Sequence, residues 1–453
     1  MQTSVWSRIP IELAREIASH NADDMSSLRS MSLVSRTMRA TAIEHLFSSV
    51  HFACAEDFPW WAEMVRRTPV LGAIVKRAKF SSVRWCRRRK VLPSWSKLNR
   101  AAVPPMLESL PNVRMVQWDV CDTLNLEMAV AYLALFPNMT ELRVMRTTFD
   151  SWHAAARFFS ACGQIKVLSL VDTAVRSEEA DGPPLGTGLI PAFGALEVLS
   201  ITTLTYSEEY VARLLEEYPP RSLKTLTFDS PRGWYENPIR LTSLLLIEKL
   251  LRLGTHSLVN LTLESTFLDK EWQLDSAANN KFIEMLRMLP VFPALTVLTI
   301  WLGPNHQARR MLSALAAPAL TTLIFRIGLY GEYGDQDHIS LTTILDEVFP
   351  WSGSDTESMG SFLTCRFPSF GRLAFHFCVY IDAEMHFNVS LRRAMERDLK
   401  ERLAETGADV RKYMEAPWRW EGSYSEPETE ASDDESDSRS SDGSESDSPP
   451  KGS

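Results

Sequence analysis

The sequence predicts an α/β chain in three parts: a small N-terminal helical module, a long irregular α/β solenoid and a disordered acidic tail. Three observations carry this prediction. A short apolar pattern of the form L-x-x-L-x-L recurs through the middle of the 453 residues. Amphipathic segments fill the gaps between its copies. From Glu421 to Ser453 the chain holds eleven acidic residues against Arg439 and Lys451, with almost no apolar ones. The expected spans are 1–55 for the helices, 56–418 for the repeats and their C-terminal capping helix, and 419–453 for the tail.

The first part opens with Ile9-Pro10-Ile11-Glu12-Leu13. A proline suits a helix start, where its fixed φ helps and its missing N–H is no loss. Leu13 and Ile17 follow at i, i+4 spacing on one face. A second apolar series runs through Met25, Leu28, Met31, Leu33 and Val34, and a third through Met38, Ile43, Leu46, Phe47 and Val50. So short a unit with this many apolar positions buries too little surface to close a core unaided, and some of them should meet a partner.

These residues resemble the F-box motif, a compact three-helix unit with a leucine- or isoleucine-proline entry and a V-[CS]-[KR]-x-W segment. Ile9-Pro10, Leu13 and Ile17 match the entry, and Leu33-Val34-Ser35-Arg36 matches the second segment. Met38 stands where the family usually has tryptophan, and Ile9 replaces the commoner leucine. Methionine fills irregular apolar slots. The resemblance implies docking to a Skp-type adaptor, and through it to a cullin, with Ile9, Pro10, Leu13, Ile17, Leu33, Val34 and Met38 at the contact. It covers roughly a tenth of the chain, and a plain three-helix cap on a larger domain is the competing reading.

In the second part the pattern recurs with middle residues Ala78, Val116, Leu142, Leu168, Leu199, Leu226, Leu261, Leu298, Leu323 and Leu373. Successive steps are 38, 26, 26, 31, 27, 35, 37, 25 and 50 residues, an irregular but persistent period. Helical spacing is read over 126–136, 152–162, 207–218, 241–253, 282–289, 307–316 and 341–349. The segment 351–361 reads as a loop insertion that explains the longest step, and 385–405 as a charged capping helix. Strand, turn, helix and return, repeated, resemble leucine-rich repeats of long and irregular period. The asparagine or cysteine that usually follows the strand is missing from most copies. An ordinary α/β domain with a parallel sheet is the alternative.

On such a sheet, residues alternating with the inward leucines form the open face. Ser169, Ser200, Thr227, Thr262 and Thr299 make one row, and Val171, Thr202, Asp229, Glu264, Trp301, Arg326 and His376 the next. The loops leaving the strands add Trp234, Tyr235, Phe267, Trp272, Tyr330 and Tyr333. Aromatic residues and arginine are the usual anchors of protein interfaces. Asp229, Trp234, Tyr235, Glu264, Trp272, Trp301, Arg326 and Tyr330 are therefore the expected contacts for an unidentified substrate protein.

Composition excludes several classes. The formal charge of −9 is the tail's eleven acids less its two bases, so the rest of the chain is near neutral, against a large nucleic-acid surface. The run Arg84-Trp85-Cys86-Arg87-Arg88-Arg89-Lys90 reads either as nuclear targeting or as a solvated loop. Ser423, Ser425, Ser432 and Ser444 each have an acid three places on, as acidophilic kinase sites do. Six scattered cysteines without metal spacing are expected as reduced thiols, and the first twenty residues lack an apolar signal core. No segment is a convincing membrane span. No phosphate loop, nucleophile elbow or H-E-x-x-H occurs. No metal, cofactor or catalytic residue is expected, and the location is cytoplasmic, nuclear or both.

The two resemblances together imply a non-catalytic substrate receptor of a cullin-RING ubiquitin ligase. A repeat scaffold outside ubiquitin chemistry, and an enzyme with an unrecognised site on the sheet face, are the alternatives.

Overall fold

The computed structural model describes residues 9–21, 24–53, 57–81, 105–119, 126–162, 164–171, 173–175, 192–202, 211, 214–215, 218–229, 241–264, 276–302, 308–330 and 359–380. The readings placed on 341–349, 385–405, the basic run and the tail lie outside these residues, as does most of 207–218.

Three helices come first: α1 (Ile11–His20), α2 (Met25–Val34) and α3 (Arg36–Leu46). Pro10 stands just before α1 in an extended conformation, and its carbonyl accepts the first helical bond, from Ala14 N–H at 3.0 Å. The Asp24 carboxylate caps α2, accepting from the N–H groups of Ser26 and Ser27 at 2.9 and 3.0 Å. Its hydrogen bonds with Ser27 hold that carboxyl below the usual range. Ser35 ends α2 and caps α3, its hydroxyl accepting from Met38 N–H at 3.2 Å. A single residue thus turns the chain between the two helices. Ala14, Ala18, Leu28, Met31, Met38 and Ala42 form a separate small core, with Ile9, Ile17 and Leu46 packed against it.

The strands are β1 (Ser49–Phe52), β2 (Arg77–Ser81), β3 (Met115–Asp119), β4 (Glu141–Met145), β5 (Thr148–Phe149), β6 (Val167–Val171), β7 (Ala174–Val175), β8 (Val198–Thr202), β9 (Thr225–Asp229), β10 (Asn260–Glu264), β11 (Val297–Leu302), β12 (Thr322–Tyr330) and β13 (Arg372–Tyr380). Eleven of them form one sheet in the order β1-β2-β3-β4-β6-β8-β9-β10-β11-β12-β13, while β5 and β7 pair separately. Every pairing is parallel. The strands of the main sheet therefore pair in the order in which the chain makes them.

The register follows the apolar pattern residue for residue. Ala78, Val116, Leu142, Leu168 and Leu199 are successive Cα partners. The series continues through Leu226, Leu261, Leu298, Leu323 and Leu373. At its start Val50 partners Ala78, adding a copy that the sequence pattern did not disclose. One backbone device fixes this alignment. The carbonyl before each strand accepts two N–H groups from the next: Ser48 from Lys76 and Arg77, Lys76 from Arg114 and Met115, Arg114 from Thr140 and Glu141. The same bifurcated bond recurs at each later junction, ending with Thr321 accepting from Gly371 and Arg372. Side chains supply some of the ties a conserved asparagine would give: Asn112 and Asn138 amides donate to the carbonyls of Ala73 and Pro111 at 2.8 and 3.0 Å.

Behind the sheet lies one continuous apolar core from Val50 to Phe367. Its β1–β3 end is aromatic, with Phe52 over Phe80 at 5.2 Å and Phe80 near Trp118 at 5.3 Å. Helices Leu126–Leu133, Trp152–Ser160, Leu241–Gly254, Ser276–Met288, Ala308–Ala314 and Met359–Arg366 lie between strands in the chain. The first five agree with the expected segments to within a turn or two. The last begins inside the segment expected to be a loop, because Leu363 and Phe367 join the core. Two more helices, Asp57–Arg67 and Val70–Ile74, were not anticipated, and β1, counted with the helical module in the 1–55 span, belongs to the sheet.

Gly72 in helix Val70–Ile74 has no room for a side chain. A Cβ placed there would collide with the Ser109 carbonyl oxygen and stand 3.3 Å from Val65 Cγ1. Gly72→Ala is expected to lower stability by about 1–3 kcal/mol, since overpacking outweighs the ~1 kcal/mol gain in helix propensity. The midpoint of denaturant unfolding checks this.

Candidate protein-binding surfaces

The helical module exposes apolar groups that its core does not use. Ala14 and Ala18 turn inward from α1, which leaves Leu13 46% exposed, with Ile11 also outside. The abrupt turn at Ser35 leaves the end of α2 projecting, with Leu33 78% and Val34 41% exposed. Pro10 is exposed as well, and Ile9 and Ile17 are half-buried against the small core. Met38 corrects the expectation placed on it. At 2% exposure it is a core residue of the three helices, so its replacement acts on folding before it can act on any contact.

On the sheet, the two face rows keep the register expected of them. Ser169, Ser200, Thr227 and Thr262 are half-buried in one row, and Thr299 is buried. In the next, Val171, Thr202 and Asp229 align, as do Glu264, Trp301, Arg326 and His376. Asp229 and Glu264 hold their places by backbone register, and Tyr330 closes β12 opposite Tyr380. Trp234, Tyr235 and Trp272 lie outside the described residues. Trp301 is another correction: it is 1% exposed, and the Arg326 guanidinium lies over its ring at 4.1 Å from the centroid. Alternation chose the right face, but the arginine covers the indole.

At the other end of that row, Asp119 is 3% exposed and forms a bidentate pair with Arg146. Arg146 Nε donates to Oδ1 at 2.9 Å and Nη2 to Oδ2 at 2.6 Å. Arg146 sits at φ 49°, a left-handed conformation unusual for a residue with a Cβ, and its N–H donates to the Val171 carbonyl at 2.7 Å. The pair anchors the turn after β4. Arg146→Ala is expected to cost about 2–3 kcal/mol, because a buried carboxylate loses its partner. Asp119→Asn should cost less, since the arginine it leaves behind reaches water. Urea unfolding of both variants gives the comparison.

Sequence reasoning read the face rows only from Ser169 onward and so missed the charge on the earlier strands. Arg77, Lys79 and Arg143 stand on the face of β2 and β4, and Lys76, Arg114 and Lys166 immediately precede β2, β3 and β6. Reading the same columns back through the first copies would have found them.

Among the described residues no group of three or more His, Cys, Asp or Glu is placed to hold a metal ion. No helix among them is long and apolar enough to cross a membrane. Cys162 and Cys365 are free thiols, and burial pushes the Cys162 thiol up.

No protein-family profile matches the chain, and no curated protein matches it. Among solved structures, the crystal structure of a TLR13–ssRNA13 complex is similar at 13% identity, covering 68% of this chain and 47% of that one, with a TM-score of 0.28. This chain thus spans less than half the length of that protein.

Proposed function

We propose that the chain is the substrate-receptor subunit of a cullin-RING ubiquitin ligase. The F-box-like helices hold a Skp-type adaptor, and a leucine-rich-repeat-like solenoid holds a substrate protein. The observation that carries this reading is the division of labour in the helical module. Six residues close a core of its own, while Leu13, Leu33 and Val34 stay outside it and exposed. Exposed leucines on so small a helical unit cost solubility unless a partner covers them. The motif match names the adaptor as that partner.

The repeat reading is supported by strand pairing in chain order, unbroken register of the apolar pattern and one recurring backbone bond at every junction. The mechanism is proximity: a captured protein is held near a ubiquitin-charged enzyme supplied by other subunits. The chain contributes no catalytic residue.

Recovery of the intact chain from cells under gentle conditions, followed by identification of its partners, tests the proposal. Skp-type adaptor and cullin in stoichiometric amounts support it. Folded chain carrying other partners but neither of these supports the second reading, a repeat scaffold outside ubiquitin chemistry.

A further inference from the structure

The formal charge leaves the body near neutral, but that neutrality is not uniform over the sheet. On strands β2 to β6, Arg77, Lys79 and Arg143 lie on the open face, with Lys76, Arg114 and Lys166 along the edge where the strands begin. Register places Lys79, Gln117 and Arg143 in one row, so the two cations stand two strands apart, about 10 Å. The acids on and beside this part of the face are Asp119, occupied by Arg146, Glu141, and Glu197 just before β8, which acts on Lys166 as well as on Lys224. Among the described residues none of Arg77, Lys79, Arg114 and Arg143 makes an ion pair, and Arg143 Nε is buried without a hydrogen-bond partner. Further along the sheet, Lys224 is neutralised by Glu197 at 2.8 Å, and the face turns to hydroxyls. Six basic groups over four strands outnumber Glu141 and the shared Glu197 beside them, and an acidic segment would balance that excess.

The chain carries such a segment. We propose that Glu421–Ser453, with eleven acids against two bases, docks on the basic half of the sheet face of its own chain. Reach permits it. Forty residues separate Tyr380 at the end of β13 from Glu421, a span of up to ~130 Å when extended. From β13 back to β2 is nine strand steps, about 43 Å at the usual strand spacing. Tethering makes the encounter intramolecular, at an effective concentration of order millimolar, so modest charge attraction suffices. The segment then occupies the β2–β6 half of the face, away from Trp301 and Arg326 on β11 and β12. A protein needing that half must displace it. This inference does not depend on ubiquitin chemistry.

Zero-length carboxylate-to-amine crosslinking of the full chain, mapped by mass spectrometry, tests it. At about 20 mM salt, tail carboxylates are expected on Lys76, Lys79 and Lys166 at yields at least about tenfold above those on Lys249 and Lys281, which stand on helices behind the sheet. At about 1 M salt, where screening acts within ~3 Å, the preference should vanish. A variant with Arg77→Gln and Arg143→Gln should lose the preference at Lys76, Lys79 and Lys166 while keeping the same unfolding midpoint. Mixing isotopically labelled and unlabelled chains separates the sources: crosslinks within one isotope class support the proposal. Crosslinks between classes, crosslinks confined to Lys90, or an even spread over all lysines would overturn it.

Discussion

A Leu13→Asp/Leu33→Asp double variant is expected to lose adaptor affinity by more than about 100-fold, or ~2.7 kcal/mol, while its unfolding midpoint stays close to that of the parent chain. Leu33 is mostly exposed and Leu13 about half, so replacing them removes little packing. Placing a carboxylate in an apolar interface leaves a charge to be desolvated without a partner. Calorimetric titration of the adaptor into each chain reads the affinity, and thermal unfolding reads the fold. An affinity within about threefold of the parent would mean that the adaptor, if it binds, does so elsewhere.

The second large effect concerns the fold. Trp301→Ala is expected to cost about 3–5 kcal/mol, because a fully buried indole is removed and Arg326 loses the ring beneath it. Arg326→Ala should cost only ~1 kcal/mol, the cation–π contribution with some lost stem packing. Denaturant unfolding of the two variants measures this order. Near-equal costs would show that the arginine, rather than the burial of the tryptophan, organises this part of the face. A binding assay on Trp301→Ala alone would therefore confuse unfolding with lost contact.

How much was legible follows from the strength of each signal. Parallel strands buried against helices write the same apolar spacing at every copy, so the middle residues from Ala78 to Leu373 align in the sequence itself, and their Cα pairing follows that alignment. β1 escaped because Val50 and Phe52 follow α3 so closely that their alternation reads as the end of the helical series. Helix Asp57–Arg67 was written plainly in Phe58, Trp61 and Val65 at i, i+3 and i+7. It was missed because no pattern copy had yet begun.

The candidate site was less legible, for two reasons. Alternation decides the face of a strand, not what lies on top of it, so Trp301 was read as presented when Arg326 covers it. Motif matching gives a position its partner-facing role by analogy. The inward face of α3, set by Met38, Thr41 and Ala42, instead places Met38 in the core. The charge contrast was hidden for a third reason: a net charge sums over surfaces that the fold keeps apart.

The central claim is that the three N-terminal helices form an adaptor-binding module. Its most direct test is titration of a purified Skp-type adaptor into the purified intact chain, with folding verified by a cooperative thermal transition. A one-to-one complex with a Kd below about 1 µM is the expected result, matching an interface of ordinary size centred on exposed leucines. A cooperatively folded chain that shows no heat and no complex at about 100 µM adaptor would contradict it.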